Sequence, residues 1–495
     1  MSRSLYGWMK RRRMPRIDAL TRRQLLERSA AGAAALLLSG CGFLGRADSR
    51  GGRRIVVVGG GFAGLVAAHE LRAAGYAVTL VEARSRTGGR VLTFGDFVPG
   101  RVIEGGGELI GSNHPHWIAW AERFGLEFLD IVEPEEAEFP IVLRGERLAA
   151  DAVDALYEEM DAALSQLNAL AEPIDADAPW RSADARALDL RSTADWVAEL
   201  AVSELCKAGI RAQLEADNGA PLERQSLLAN LAQVKGGGLD RYWTDSEVWR
   251  CKGGNQQLAT ALQQAFTAAG GTLRLGARVQ RIDQTGAAVR VTLTDGTALD
   301  CEDVVLATPP TTWDAIEFAP ALPPELAPQL GVNTKYLMHV KGRFWEAAGL
   351  AADGLTDGPI GWTWDATHGQ AGDGPACLTA FSGARGAETV RGWPVAERDA
   401  RFRAEYARLF PDVDAQFVAA RFMDWPSDPL TRGGYSIPAP GQITTCGPQL
   451  RSGHGRLHFA GEHCSHAFVG YMEGALESGA AVAKRIAVKD GVAQG

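Results

Sequence analysis

A chain of 495 residues exceeds what one simple core supports and points to two domains. Its 46% hydrophobic and 22% charged residues are those of a folded globular protein, which excludes global disorder. The formal net charge is −9, yet residues 1–40 hold nine Lys/Arg against two acids, so the body is strongly acidic, which argues against nucleic acid as a partner.

The first forty residues read as an export signal. Thr21-Arg22-Arg23-Gln24-Leu25-Leu26 is a twin-arginine pattern. The weakly apolar run SAAGAAALLLSGC that follows is shorter than the ~20 residues of a membrane span. Leu38-Ser39-Gly40-Cys41 matches a lipobox and makes Cys41 the lipidation candidate. Cleavage by an ordinary signal peptidase, with Cys41 incidental, is the alternative. The expectation is a signal over 1–40 that lies outside the fold, a linker over 41–52, passage of a folded protein through the twin-arginine export machinery, and a lipid anchor on an extracytoplasmic, periplasmic membrane face. Six further cysteines, Cys206, Cys251, Cys301, Cys377, Cys446 and Cys464, form no CxxC pair. Neither a zinc site nor a disulfide framework is expected, although export would permit one disulfide.

After the linker, Ile55 to Val58 is a continuous apolar run, the pattern of a strand buried on both faces of a parallel sheet. Gly59, Gly61 and Gly64 complete G-x-G-x-x-G: a tight turn, a close backbone approach to a pyrophosphate, and close helix–strand packing. Leu65, Ala68 and Leu71 recur at helical spacing, and Gly75 is placed to end that helix. Ala77 to Val81 reads as the second strand, with Glu82 where a carboxylate accepts hydrogen bonds from an adenosine ribose. Arg86, Gly88, Gly89 and Arg90 follow; adjacent glycines turn backbone N–H groups toward an anion, and the arginines add charge.

A second glycine-rich stretch, EGGGELIGSNHPHW, spans Glu104–Trp117. Residues 113–247 are rich in Ala, Leu and acids at helical period, as in Ala152 to Leu170. Lys252-Gly253-Gly254-Asn255 opens another helix. Val289, Val291 and Leu293 alternate before an Asp295-Gly296 hairpin turn, and Asp303 to Ala307 is a buried-strand run. Residues 314–424 read as mixed strands and helices. Near the end, HFAGEHCSHAFVGYMEGALESG places an irregular loop before a helix that starts near Tyr471-Met472. Such a start presents its positive end and free N–H groups to whatever lies before it, and Gly470 allows close approach.

These three motifs, in this order, resemble the flavin-containing amine oxidases, a family that includes monoamine, polyamine and L-amino-acid oxidases; the likeness covers nearly all of residues 53–487. The resemblance implies an α/β fold: a glutathione-reductase-like, Rossmann-like FAD-binding domain over 53–112, 248–313 and 425–490, interleaved with an α+β substrate domain over 113–247 and 314–424 that carries a helical insertion. It implies FAD contacts at Gly59, Gly61, Phe62, Ala63 and Gly64, at Glu82, Ala83, Arg84 and Arg90, and at Gly106, Gly107, Glu108 and Leu109. Val279, Gly461, Glu462, Gly470, Tyr471 and Met472 complete that set. Tyr471 is similar to one wall of the family's aromatic cage, with Trp425 and Tyr435 as candidates for the other, and Gly433-Gly434 as the landmark between them. Tyr435 and Ser436, in place of a flavin-linking cysteine, imply non-covalent FAD. Lys335 in NTKYLMHVKGRFW matches the lysine that holds a water at flavin N5 and helps dioxygen react.

The implied chemistry is hydride transfer from the carbon bearing nitrogen to flavin N5, giving an imine and, with dioxygen, hydrogen peroxide; the cofactor carries the hard step. An L-amino acid would need an arginine for its carboxylate, for which Arg250 and Arg432 are the candidates. Tryptophan 2-monooxygenase shares the superfamily, but no indole-specific residue stands out. A membrane-anchored dehydrogenase passing electrons to quinone and a non-catalytic FAD-binding scaffold are the other readings. His463, Cys464 and His466 lack a third ligand partner, and no metal is expected. His114 and His116 are open to substrate contact or to ordinary core and surface places.

Overall fold

The computed structural model describes residues 4–13, 52–131 and 137–492. The twin-arginine pattern at Arg22-Arg23 and the lipobox at Cys41 lie outside the described residues.

The strand Arg54–Val58 lies in the middle of a five-stranded sheet. Its order is Leu457–Phe459, Asp303–Leu306, Arg54–Val58, Ala77–Val81 and Thr272–Arg274, all parallel. The period of two divides its side chains. Ile55 and Val57 pack under the helices Phe62–Ala73, Gln256–Ala268 and Met472–Lys489, while Val56 and Val58 pack on the opposite face. A Cβ at Gly479 would lie 2.4 Å from the Ala63 carbonyl oxygen, so the last helix crosses the first one backbone to backbone.

The opposite face is covered by a second sheet, ordered Ala298–Cys301, Val289–Leu293, Val279–Asp283 and Glu317–Ala319. Val289, Val291 and Leu293 point inward as their alternation requires. The short strand Glu317–Ala319 runs parallel to Val279–Asp283. It lies past the expected boundary at residue 313, so this sheet extends further along the chain than its hydrophobic pattern signals.

A seven-stranded sheet forms the other body, ordered Phe417–Asp424, Asn333–Val340, Ala376–Gly383, Trp362–Asp365, Gly354–Thr356, Ile141–Leu143 and Glu146–Arg147. Against it pack helices of the insertion, among them Ala150–Ala171 and Glu204–Asn218. The first of these buries Leu156, Met160, Ala163, Leu164 and Leu167, a stripe at three- and four-residue spacing.

One expectation fails at the start of the chain. Leu5–Arg13 is a helix inside the fold, with Leu5, Tyr6 and Met9 at 0% exposure. The four basic residues Lys10 to Arg13 follow Leu5 to Met9, all five of which are buried against the insertion.

Candidate active site

Residues of the parallel and seven-stranded sheets line one cavity. At one end the turn after Val58 brings Gly59, Gly61, Phe62 and Ala63 to the wall. A Cβ at Gly61 would meet no protein atom within 4 Å, so a ligand can approach the backbone where the helix Phe62–Ala73 begins. No acid occupies that helix's first turn, and its N–H groups suit an anion. Gly64 is a correction: it does not line the cavity. A Cβ there would lie 1.9 Å from the Gly59 carbonyl oxygen, so its part is to let the helix sit on the turn.

Glu82 ends its strand at the wall beside Ala83 and Arg84, with Val279 also lining this end. Its carboxylate accepts the Gly60 N–H at 2.6 Å and the Arg84 N–H at 2.7 Å. Arg84 forms a bidentate pair with Asp428 at 2.7 and 2.9 Å. Gly88, Gly89 and Arg90 also line the cavity, but Arg86 does not. The Arg86 guanidinium donates to the carbonyls of Thr87, Gly89 and Val91 and so holds the loop's shape.

Glu462 ties three distant segments together. Its buried carboxylate accepts from Arg90 Nη1 at 2.9 Å, Gly470 N at 2.9 Å and Ser436 N at 3.2 Å. Burial pushes its pKa up, but Arg90, His463 and the Gly470 N–H together hold the carboxyl below the ordinary range. Gly461, Gly470, Tyr471 and Met472 thereby reach the cavity at the start of the helix Met472–Lys489. Glu473, in that helix's first turn, faces away and accepts the N–H groups of His116 and Trp117, so the positive helix end stays directed at the cavity.

Gly106, Gly107, Glu108 and Leu109 line the middle. Trp425 donates Nε1–H to the Gly105 carbonyl at 2.9 Å and lies against Gly106. Lys335 projects from Asn333–Val340 and is 4% exposed, in contrast to its exposed neighbour Lys341. Its Nζ donates to Glu108 Oε2 at 2.6 Å and to the Gly106 carbonyl at 2.8 Å. Glu108 Oε1 also accepts from Arg250 Nε at 2.7 Å and Trp364 Nε1 at 2.9 Å. Burial pushes the Glu108 pKa up, but Lys335 and Arg250 pull it below the ordinary value. The cluster is a buried carboxylate between two cations, with a net charge of one positive unit.

At the far end stand Tyr435 and Tyr471, with Asn333, Phe381 and Glu247. Tyr435 lies 3.0 Å from where a Cβ on Gly470 would sit, one residue before Tyr471, and Trp425 lines the same cavity. Its hydroxyl donates to the Asp217 carbonyl at 2.6 Å and accepts from Asn333 Nδ2 at 3.0 Å. Tyr471 hydrogen-bonds Tyr242, and burial drives both cage phenols well above their ordinary pKa, so they stay neutral. His114 lies edge-on to Tyr471 at 5.2 Å, with its pKa lowered to about 4 by burial. His116 pairs with Glu473 at 2.9 Å. His463 and His466 pack on different tryptophans, Trp313 and Trp180. All six described cysteines are free, and none lines the cavity.

Neither carboxylate candidate reaches the cage. Arg250 gives its Nε–H to Glu108 and does not line the cavity, and Arg432 pairs with Asp314 at the surface. Sequence reasoning missed Trp364, Asn333, Phe381 and Glu247, it took Arg250 for a substrate-carboxylate candidate, and it took Glu108 for a cofactor contact only. Glu108 and Lys335 are 227 residues apart in the chain, a pairing that no local pattern signals.

Two helix starts, a ribose-suited acid, glycine walls and an aromatic pair along one cavity fit FAD. The family model for flavin-containing amine oxidoreductases matches residues 62–487. The chain is 30% identical over 440 residues to (S)-6-hydroxynicotine oxidase of Paenarthrobacter nicotinovorans, covering 86% of this chain and 96% of that one. It is 28% identical to nicotine dehydrogenase of Pseudomonas putida, covering 91% and 95%. Among solved structures, cyclohexylamine oxidase of Brevibacterium oxydans superposes with a TM-score of 0.78 at 27% identity, covering 89% of this chain and all of the other.

Proposed function

Because the chain belongs to the flavin-containing amine oxidoreductases, enzymes that act on amines with FAD, we propose that it oxidises the carbon–nitrogen bond of a small amine at the Tyr435–Tyr471 end of the cavity and passes the electrons to dioxygen, giving hydrogen peroxide. The imine product hydrolyses to a carbonyl compound and, for a primary amine, ammonia. FAD supplies the hydride acceptor. The protein's own contribution is orientation and electrostatics. Tyr435 and Tyr471 are fixed by hydrogen bonds at their hydroxyls and present neutral ring faces to the substrate. The Lys335–Glu108–Arg250 cluster and the start of the helix Met472–Lys489 set positive potential against the cavity wall, which favours negative charge gathering there.

The observation that carries an amine rather than an amino acid is the cage itself. It holds two tyrosines, Phe381 and an acid, Glu247, while both arginine candidates are paired elsewhere. A carboxylate entering such a pocket would find no guanidinium partner. The relatives' names speak of nicotine, hydroxynicotine and cyclohexylamine, so ring-bearing amines belong in the test. Under argon, amines of this kind should bleach the flavin within a screen in which L-amino acids do not; faster bleaching by an L-amino acid overturns the assignment. Two relatives are named dehydrogenases, one of nicotine and one of L-amino acids, which supports a quinone acceptor as the second reading. Stoichiometric peroxide supports the oxidase, and absence of peroxide during amine turnover with a quinone supports the dehydrogenase.

The twin-arginine pattern at Arg22-Arg23 and the lipobox cysteine Cys41 support export of the folded protein and a lipid anchor outside the cytoplasm. Arg22→Lys with Arg23→Lys should retain the protein in the cytoplasm, and Cys41→Ala should release it from membranes. Membrane retention of the Cys41→Ala protein removes the anchor from this reading.

A further inference from the structure

The helix Leu5–Arg13 sits in a made-to-fit groove. A Cβ at Gly7 would lie 1.9 Å from the Trp243 carbonyl oxygen, so the two backbones touch there. The Trp8 ring lies 4.4 Å from that of Phe139, centroid to centroid. Tyr6 N–H donates to Gln213 Oε1 at 3.1 Å, and its hydroxyl donates to Asp161. Lys10 Nζ donates to Asp240 at 2.9 Å, Arg11 Nη1 to the Thr244 carbonyl at 2.9 Å, and Arg13 pairs with Asp154. The basic helix therefore meets acids from the helices Ala150–Ala171 and Asp240–Asp245, and its apolar face meets the insertion's core.

This groove adjoins the substrate end of the large cavity. Ser4 and Arg11 line a small second cavity together with Asp217, Trp243, Glu247 and Tyr471. Glu247 and Tyr471 also line the large one. The aromatic cage thus has the N-terminal helix on its outer side, with one small space between them. We propose that the helix Leu5–Arg13 docks on the folded substrate domain and stops a passage to the cage, so that the chain turns over amines slowly until Ser4–Arg13 leaves the groove. The stopper is cationic, as is an amine substrate, and Asp217 and Glu247 line the small space between helix and cage. Because this same segment precedes the export motif, losing the signal would open the site, and peroxide would be withheld where the chain is made. Docking stands on the contacts above; the effect on turnover rests on the amine-oxidase reading.

The test uses FAD-loaded full chain carrying Arg22→Lys and Arg23→Lys to keep its N-terminus, the same chain with Gly7→Val, and a chain beginning at residue 14. Valine at position 7 drives a side chain into the Trp243 carbonyl without altering the body of the enzyme. Both altered proteins should reduce their flavin at least ten-fold faster at low amine concentration, with unchanged flavin content, and acrylamide should quench their flavin fluorescence more strongly. A fluorescent peptide of residues 2–13 should bind the shortened chain and slow it again, while its Gly7→Val counterpart should not. Equal reduction rates, or equal quenching where no amine serves as substrate, overturn the stopper. Failure of the peptide to bind overturns the docking. Absence of reduction by any amine in all three proteins counts against the proposed function alone, and quenching then decides the stopper.

Discussion

Glu108→Gln tests the buried charge cluster directly. The carboxylate and the Lys335 ammonium are 2% and 5% exposed and 2.6 Å apart, and Arg250 shares the same carboxylate at 2.7 Å. At an effective dielectric of ~20, unit charges about 3 Å apart attract by roughly 5 kcal/mol, most of which is offset by the desolvation of both ions. Removing only the negative partner strands two buried cations, which costs about 3–5 kcal/mol. Lys335→Met removes one cation and leaves Glu108 paired with Arg250, so the double variant should be milder than the sum of the singles by about 1.5–3 kcal/mol. Urea unfolding of the four proteins, read as midpoint shifts at constant slope, measures that cycle. Additivity within about 0.5 kcal/mol, or a Glu108→Gln cost below about 1 kcal/mol, would show that the cluster is not held by this pairing.

Lys335→Met should slow flavin reoxidation by dioxygen far more than anaerobic reduction by amine; equal slowing of both half-reactions refutes the dioxygen role. Glu104 is buried, and burial raises its pKa from an ordinary 4.5 to about 7. The folded chain therefore holds that proton more tightly than the unfolded chain, and the resulting stability is present below about pH 4.5 and is lost as pH rises through about 7. Glu104→Gln should remove that loss, gaining up to about 3 kcal/mol relative to the parent between pH 4.5 and 8, as read by chemical denaturation at each pH; parallel stability–pH curves refute it. With Tyr435 and Ser436 after Gly434 and no cysteine on the cavity wall, acid precipitation should leave the yellow cofactor in the supernatant, and a yellow pellet would establish a covalent link.

The local parts of this protein are written in local patterns. The apolar run Ile55 to Val58, the spacing of Gly59, Gly61 and Gly64, and the alternation Val289, Val291, Leu293 each act through neighbours a few residues away, and each is found where its pattern puts it. The packing role read from the spacing for Gly64 is met as well, its missing Cβ clearing the Gly59 carbonyl, while its place off the cavity wall needed the structure. The strand Glu317–Ala319 is three residues long and carries no periodic signal, so its sheet is visible only once its partner Val279–Asp283 is in place.

Sequence alone thus determined the cofactor class, the glycine-lined turn and the aromatic Tyr471 at a helix start, since these depend on backbone geometry within one segment. Tertiary structure decided what Lys335 touches, because hydrogen bonds to Glu108 and Gly106 join residues more than two hundred positions apart. It decided that Arg250 serves a carboxylate of the protein and not one of a substrate. It also decided the place of Leu5–Arg13, whose residues Leu5 to Met9 acquire meaning only from the groove that buries them.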